Sequence, residues 1–304
     1  MRCPKCQFDH PLQTTECLKC GIVFARYLEA LERAAEPTAP ALPATVPAHL
    51  LASAPASDRN DAVRELKYRV LALPLALLAA RLIDGTGFRM ASAMLAMVLH
   101  ESGHAITAWL TGRWAIPLLW VTPHGEERSW AIVLLLSATI VSAGFLAWKA
   151  QSWGWLLAAG AVLILQVIFL NLPAEPAIIF WGDGGAMVLA TILMAMFFAP
   201  RESALGKSPG LRWGLLLIGA LCFMRVFRIW SGSFEEIPFG EIEGVGPSDP
   251  TLLTEMYGWS VPQLVHRYVR LGTVCLVLLG GMYVWGLLSA YLQMSRSSGN
   301  GSSE

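Results

Sequence analysis

The feature that most constrains this chain is the sequence HESGH at residues 100–104, which lies inside the mostly apolar stretch 87–110. The stretch is long enough to cross a bilayer as a helix. On a helix, residues four positions apart lie on one face, so His100 and His104 are predicted to direct their imidazoles at one metal ion. Glu101 lies about 100° further round the helix, beside the ion. Two ligands with a neighbouring carboxylate are the residue set of a zinc hydrolase.

The position of this motif favours a metal site over its alternative, a buried polar trio that only packs helices together. Two histidines and a glutamate are unfavourable inside a membrane span, and ionisable groups found there usually have a function. We therefore expect His100 and His104 to be metal ligands. Glu101 is expected to be the general base that takes a proton from the attacking water.

Composition places the chain among polytopic membrane proteins. Of its 304 residues, 55% are hydrophobic and only 14% are charged, which is too apolar for an ordinary soluble protein of this length. The formal net charge is zero. We therefore expect the lipid bilayer, and no nucleic acid, as a partner of the chain.

Seven apolar runs are predicted as membrane helices. They lie near residues 66–83, 88–110, 130–150, 153–172, 181–200, 211–230 and 270–293. The expected fold class is an all-α polytopic membrane protein with about six to seven transmembrane helices. Basic residues flank the first run, as is usual on a cytoplasmic side. We expect an integral protein of a bacterial inner membrane, with its N-terminus in the cytoplasm.

A second metal-binding pattern lies near the N-terminus. Cys3 and Cys6 form one Cys-x-x-Cys pair, and Cys17 and Cys20 form another. Two such pairs supply the four thiolates of a tetrahedral structural zinc, and residues 1–27 are predicted as a small zinc ribbon. Two disulfides and a rubredoxin-like iron are the alternatives. Intact thiolates indicate a reducing compartment, which agrees with a cytoplasmic N-terminus.

The remaining segments divide the chain into further parts. Residues 28–65 are predicted as a linker rich in alanine and proline, residues 66–294 as the membrane domain, and residues 295–304 as a flexible tail. Within the membrane domain, residues 231–268 form an acidic insert. Its glycines and prolines indicate irregular structure, either a plain solvated connection or a lid.

The segment 111–129 follows the histidine motif directly. An apolar run from Trp114 to Val121 precedes a turn signal at Pro123 and Gly125. We expect either a membrane-associated β-hairpin, whose backbone is covered by protein, or an interfacial loop with aromatic anchors.

The histidine pair needs a third ligand, and acidic residues are scarce in the apolar runs. Asp183 lies in the sequence WGDGG at the start of the fifth run, where glycines allow close approach to the backbone. The prolines after Asn171 break the preceding helix. Asp183 is thus the favoured ligand. A helix N-cap role for Asp183 is the alternative, and Glu175 is the rival ligand.

These motifs resemble the zinc intramembrane metalloproteases of the site-two protease family. The resemblance covers residues 88–200, and it includes the His-Glu-x-x-His helix, the segment after it and the later Asn…Pro…Asp-Gly segment. It implies that Asp183 is the third zinc ligand, that Glu101 is the general base and that Asn171 binds substrate. In this chain Asn171 and Asp183 are further apart than in the family, and Gly182 replaces the usual leucine.

The expected function is therefore zinc-dependent intramembrane hydrolysis of peptide bonds in transmembrane protein substrates. Two zinc ions are expected as cofactors, one catalytic and one structural, together with a protein partner for the zinc ribbon. The alternative is a metal-binding membrane protein without catalysis, such as a transporter, a sensor or a scaffold.

Overall fold

The computed structural model describes residues 2–3, 5–9, 14–17, 19–20, 22–28, 48–83, 89–200, 203, 205–242 and 246–299. It consists of two units, Met1–Ser57 and Asp58–Glu304. Residues 29–47 of the predicted linker and residues 300–304 of the predicted tail lie outside the described ranges.

In the first unit, two short loops each carry one cysteine pair. An antiparallel bridge between Arg2 and Asp9 closes the first loop, and a bridge between Glu16 and Val23 closes the second. A helical turn follows at residues 24–28. Phe24 is buried against the cysteines. A core this small cannot hold a fold by itself, so the region needs a further source of stability.

The second unit is built from long helices. The long helices of the described chain are α1 Ala48–Ile83, α2 Arg89–Leu110, α3 Trp130–Lys149, α4 Trp153–Leu170, α5 Ala174–Ala195, α6 Pro209–Ser231 and α7 Val261–Gly299. A single 3₁₀ turn, Met196–Phe198, extends α5. The helix α1 begins at Ala48, inside the segment predicted as a linker, and α7 continues into the segment predicted as a tail.

Five helices in the described part of the chain, α3 to α7, are long and apolar enough to cross a membrane. They indicate a membrane protein. The count is lower than the six to seven predicted, because α1 and α2 do not qualify. The apolar part of α1, residues 66–83, contains three basic residues, Lys67, Arg69 and Arg81, and the HESGH sequence lowers the hydropathy of α2.

The helices α2 and α5 cross with their backbones in contact, because glycines lie where they meet. A Cβ added to Gly103 would lie 2.1 Å from the carbonyl oxygen of Trp181. One added to Gly185 would lie 2.5 Å from Cα of Gly103. Any side chain at this crossing would push the helices apart. The crossing therefore fixes the histidine motif of α2 against the middle of α5.

The helix α5 begins at Ala174, earlier than predicted, with Pro173 as its N-cap. Pro176 lies in its first turn, where a backbone N–H has no helical partner and a proline does not break the helix. As a result Asp183 lies in the middle of α5 and not at the start of a span. The predicted end of the preceding helix agrees with the structure, because α4 ends at Leu170.

The segment between α2 and α3 folds back on itself. Gly125 N donates to the carbonyl of Trp114 at 2.9 Å, and Ile116 N donates to that of Pro123 at 3.1 Å. The only strand-type pairing among the described residues of this segment is a single bridge between Ala115 and His124. The segment is thus a hairpin-shaped loop and not a regular two-stranded sheet. Proline at position 123 contributes to this, because it lacks a backbone donor.

The acidic insert between α6 and α7 is structured where it is described. It contains a short antiparallel pair, β1 Glu241–Ile242 with β2 Gly246–Pro247, then the helical turn Asp249–Thr251 and a π-helical segment, Leu252–Met256. Oγ1 of Thr251 accepts a hydrogen bond of 2.8 Å from the amide of Gly240. Leu253 is fully buried in the helix core. The insert is therefore packed against the bundle and is not a plain solvated connection.

A buried ion-pair network ties four helices together. Oε1 of Glu65 on α1 accepts hydrogen bonds from Arg69 at 2.8 Å and from Arg212 of α6 at 2.9 Å. Arg212 also donates to the carbonyl of Phe197 at 2.7 Å, just beyond α5. Arg69 donates to the carbonyl of Gly286 on α7 at 3.1 Å. The network neutralises the buried charges and gives both arginines backbone carbonyl acceptors.

Candidate metal centre

Two imidazoles and one carboxylate converge in the membrane unit. Nε2 of His100 lies 3.0 Å from Nε2 of His104. Oδ2 of Asp249 lies 3.2 Å from the first nitrogen and 3.1 Å from the second. Atoms bound at the usual distances to one tetrahedral zinc ion would be roughly 3.3 Å apart. The three atoms therefore have the spacing of ligands around one ion.

Asp249 is poised to receive a cation. Its Oδ2 is buried and accepts no hydrogen bond from the described residues. Burial alone would raise the pKa of Asp249, but the positive charge of His104 and His100 in their protonated forms outweighs this effect and holds the pKa well below its usual range. An ionised carboxylate without a hydrogen-bond donor is an unsatisfied buried charge. A bound metal ion would satisfy it.

The other nitrogen of each imidazole has an acceptor of its own. Nδ1 of His100 lies 2.8 Å from Oδ1 of Asp183, and Nδ1 of His104 lies 2.7 Å from the carbonyl oxygen of Ile178. A carboxylate and a carbonyl only accept hydrogen bonds, so both Nδ1 atoms carry the proton. In the metal-binding form, each Nε2 then presents a lone pair towards the other ligand atoms. Metal-binding histidines usually donate their other ring N–H to an acceptor in this way.

The carboxylate that faces both histidines belongs to Asp249 and not to the predicted Asp183. Asp183 was expected to face the two histidines, but its carboxylate lies on the Nδ1 side of His100, away from the shared point. Its second oxygen accepts a hydrogen bond of 2.7 Å from Nε1 of Trp230. Because α5 begins earlier than predicted, Asp183 lies deeper in the bundle, beside the imidazole. Asp249 takes the third position.

The structure does not bring Glu175 or Asn171 to the histidines. Glu175 pairs with Arg113, and its other oxygen lies 3.9 Å from Nε2 of His124. Asn171 is the exposed C-cap of α4, and its side-chain amide donates to the carbonyl of Val167 at 2.8 Å. The rival-ligand prediction for Glu175 therefore does not match the geometry. The substrate-binding role of Asn171 stays a prediction.

Glu101, which lies between His100 and His104 in the sequence, is buried. Its carboxylate accepts a hydrogen bond from a separate donor. The hydroxyl of Thr122, in the hairpin-shaped loop, lies 2.7 Å from Oε2 of Glu101 and 3.0 Å from its backbone carbonyl. Thr122 is itself buried. The loop thus fixes the orientation of the Glu101 carboxylate.

Gly182 makes room for the two imidazoles. A Cβ at this position would lie 2.5 Å from Cε1 and Nε2 of His104, and 2.7 Å from Cε1 of His100. Both distances are far shorter than van der Waals contact. The glycines of the WGDGG sequence are predicted to allow close approach to the backbone. At Gly182, the groups that approach the backbone are the two imidazoles.

The four cysteines of the first unit also cluster. The Sγ atoms of Cys3 and Cys20 are 3.8 Å apart, and those of Cys6 and Cys17 are 3.6 Å apart. All six cysteines of the chain are free thiols. Sulfurs bound at about 2.3 Å to one tetrahedral ion would be roughly 3.8 Å apart, so the cluster can hold a metal ion.

Burial and hydrogen bonds shift the pKa values of Cys17 and Cys20 in opposite directions. Burial acts against ionisation of Cys17, but hydrogen bonds from its neighbours, with the Cys20 amide first among them, lower its pKa to about 5. The amide of Cys20 lies 3.4 Å from Sγ of Cys17. Burial and the adjacent Cys17 sulfur raise the pKa of Cys20 to about 12. Such a division is expected where neighbouring thiols share one site and titrate as a group.

Sequence reasoning missed three residues of the membrane site: Asp249, Thr122 and Trp230. Asp249 is one of several acidic residues in the insert, and nothing in its spacing links it to the histidines. Thr122 lies in the segment predicted as a hairpin or loop, but its sequence position does not indicate a hydrogen bond to Glu101. Trp230 ends an apolar helix, as many membrane-interface tryptophans do.

Comparisons of the chain with models of known protein families, with curated proteins and with solved structures find no match. The functional assignment therefore depends on the chemistry of the two clusters and on their setting.

Proposed function

We propose that this chain is a zinc-dependent intramembrane endopeptidase of the site-two protease type, which hydrolyses peptide bonds of transmembrane proteins. The observation that carries the proposal is the convergence of His100, His104 and Asp249 within a bundle of apolar helices, with the buried Glu101 directly after His100 in the sequence. Two histidines, one carboxylate and a separate glutamate are the usual protein groups of a hydrolytic zinc site.

Each residue has a defined task in this proposal. His100, His104 and Asp249 would hold the zinc ion. Zinc bound there would supply a Lewis acid that polarises a peptide carbonyl and makes water more acidic. Glu101 takes the proton of the attacking water and delivers it to the leaving nitrogen. Thr122 keeps the Glu101 carboxylate in one orientation.

The surroundings of the site favour a membrane-embedded substrate. Five helices of the described chain are apolar enough to lie in lipid. The hairpin-shaped loop exposes large apolar side chains, including Ile116, Leu118 and Trp120. A transmembrane helix must unwind before its carbonyls can be attacked. An extended backbone segment next to the site can hold the unwound chain by strand addition.

Metal content tests the ligand set. Purified full-length protein is expected to contain two zinc ions, and one of them should be lost in His100→Ala, His104→Ala and Asp249→Ala variants. Glu175→Ala is the matched control on α5 and should keep both ions. Retention of both ions in all three ligand variants would refute the membrane metal site.

Cleavage tests the reaction. The probe is a fluorescent reporter whose single transmembrane helix contains glycine and proline, so that it unwinds easily. In a bilayer, the wild-type protein should cleave it within the helix, as determined by mass spectrometry of the products. Glu101→Gln should retain zinc and lose about a hundred- to ten-thousand-fold in rate. Equal cleavage by this variant would refute the role of Glu101.

The alternative function, a metal-binding membrane protein without catalysis, predicts a different pair of results. Zinc would be bound by His100, His104 and Asp249, and the reporter would stay intact at every enzyme concentration. The residue between the two ligand histidines argues for catalysis, because a purely structural or transport site has no need of the buried Glu101.

The ribbon is proposed to bind structural zinc and a protein partner on the cytoplasmic side of a bacterial inner membrane.

A further inference from the structure

We propose that Trp230 is a positioning residue that acts through Asp183 to set the tautomer of His100. This inference rests on the proposed metal site and concerns its affinity for the ion. Asp183 bridges the two partners: Oδ1 lies 2.8 Å from Nδ1 of His100, and Oδ2 lies 2.7 Å from Nε1 of Trp230. The three side chains form a chain of hydrogen bonds from α6 through α5 to the metal-binding helix α2.

The directions of these hydrogen bonds are fixed by chemistry. The indole nitrogen of tryptophan can only donate, and an ionised carboxylate can only accept. Trp230 therefore occupies Oδ2 of Asp183 and leaves Oδ1 to accept the proton on Nδ1 of His100. With the proton on Nδ1, the lone pair of Nε2 is free for a metal ion.

Trp230 is held rigidly enough to exert this control. Its side chain is fully buried, and its ring stacks on that of Tyr268 with centroids 4.0 Å apart. Tyr268 in turn donates to the carbonyl of Phe180 at 2.9 Å and stacks on the Phe180 ring. The indole N–H thus has a single orientation, and Asp183 cannot turn away from it without leaving a buried donor unpaired.

The consequence is a specific prediction for Asp183→Asn. The amide oxygen must accept from Trp230, so the amide nitrogen faces Nδ1 of His100 and donates to it. The imidazole proton then moves to Nε2, where it blocks the metal. Asp183→Asn keeps the size of the side chain but should therefore weaken metal binding more than Asp183→Ala does. In the alanine variant, Nδ1 of His100 is free either to donate or to accept a hydrogen bond.

A second change should reverse this effect. Trp230→Phe keeps an aromatic ring against Tyr268 but removes the donor. In the double variant with Asp183→Asn, the amide is free to turn its oxygen towards His100 and restore the proton to Nδ1. The double variant should bind metal more tightly than Asp183→Asn alone. Two changes that merely damaged the structure would lower affinity further when combined.

The experiment is a cobalt(II) titration of full-length protein, monitored by visible absorption. A variant lacking both His100 and His104 reports binding by the cysteine cluster alone and is subtracted. We expect Asp183→Asn to lower affinity about a hundred-fold, at the upper end for an outer-shell partner. Trp230→Phe should lower it by less than ten-fold on its own and raise it about ten-fold or more in the Asp183→Asn background. Ser231→Ala, at the exposed position next to Trp230, is the matched control and should change neither value.

The outcomes separate this inference from the proposed function. If removal of both histidines leaves cobalt binding unchanged, the metal site itself is wrong. If the histidines are required but the double variant binds no better than Asp183→Asn, the role of Trp230 is overturned. Should Trp230→Phe fail to fold, the comparison of Asp183→Asn with Asp183→Ala decides alone, and weaker binding by the alanine variant would contradict the tautomer argument.

Discussion

The hydroxyl of Thr122 donates a hydrogen bond of 2.7 Å to Oε2 of Glu101, across 21 residues of chain. The bond links the hairpin-shaped loop to the carboxylate that is proposed to move the proton. A loop that also contacts the unwound substrate would thereby couple substrate binding to the orientation of the base.

Thr122→Val should lower the cleavage rate of the membrane reporter without removing zinc. Valine has nearly the shape of threonine but cannot donate, and the loss of one hydrogen bond to a charged group corresponds to about ten-fold or more in rate. Thr122→Ser keeps the hydroxyl and should stay close to wild type. A valine variant as active as the serine variant would show that Glu101 does not depend on this bond.

Gly182→Ala should weaken zinc binding at the membrane site. The added methyl group would overlap His104 and His100, and α2 cannot move away while Gly103 and Gly185 hold the two backbones together. We expect at least a ten-fold loss of affinity, by analogy with other changes next to metal ligands. Gly160→Ala is the matched control, because a Cβ there meets no atom within 4 Å. Equal zinc content in both variants would contradict the proposed steric role.

The helical bundle, the cysteine cluster and the histidine pair of the membrane cluster were largely predictable, because they depend on local patterns. Apolar runs of about 20 residues predict helices wherever they occur. The four-residue spacing of His100 and His104 fixes their common face, and the two Cys-x-x-Cys pairs fix the ribbon. The predicted helices and the observed ones differ mainly at their ends, where prolines can either start or stop a helix.

The third ligand was not predictable, because it depends on how the helices pack. Asp183 and Asp249 are both acidic residues far from the histidines in sequence, and their places follow from the start of α5 and from the fold of the insert. Asp183 was the better candidate by pattern. In the structure Asp183 contacts Nδ1 of His100, whereas Asp249 contacts Nε2. Only the packed structure shows which nitrogen each carboxylate reaches.

The ribbon and the membrane site should bind their metals independently. Cys3→Ser combined with Cys6→Ser removes two of the four thiolates, so this variant should lose one zinc ion and keep the other. Hydrogen exchange at residues 2–28 should rise, because a region this small depends on its metal for stability. Loss of both ions in this variant, measured by elemental analysis, would show that the sites are coupled.

The Glu65 network should make the stability of the membrane unit depend on pH in acid. Burial alone would raise the pKa of Glu65, but hydrogen bonds and charge from Arg212 and Arg69 outweigh it and lower the pKa from 4.5 to about 2. A carboxyl with a depressed pKa in the folded state stabilises the protein fully above its unfolded value. Its contribution should therefore be present above pH 4.5 and disappear as the pH falls towards 2, with a total on the order of 3 kcal/mol.

Glu65→Gln isolates this contribution, since glutamine does not titrate and leaves Arg69 and Arg212 without their shared counter-charge. The variant should unfold at a lower temperature than wild type at pH 7, as measured by thermal denaturation in detergent micelles. Between pH 4.5 and 2 the difference should narrow, because the wild-type carboxyl is then protonated and loses the same interactions. Glu235→Gln, at an exposed position of the insert, should follow the wild-type curve throughout. A Glu65→Gln variant whose deficit stays constant across this range would mean that the two arginines do not hold the carboxylate in its ionised form.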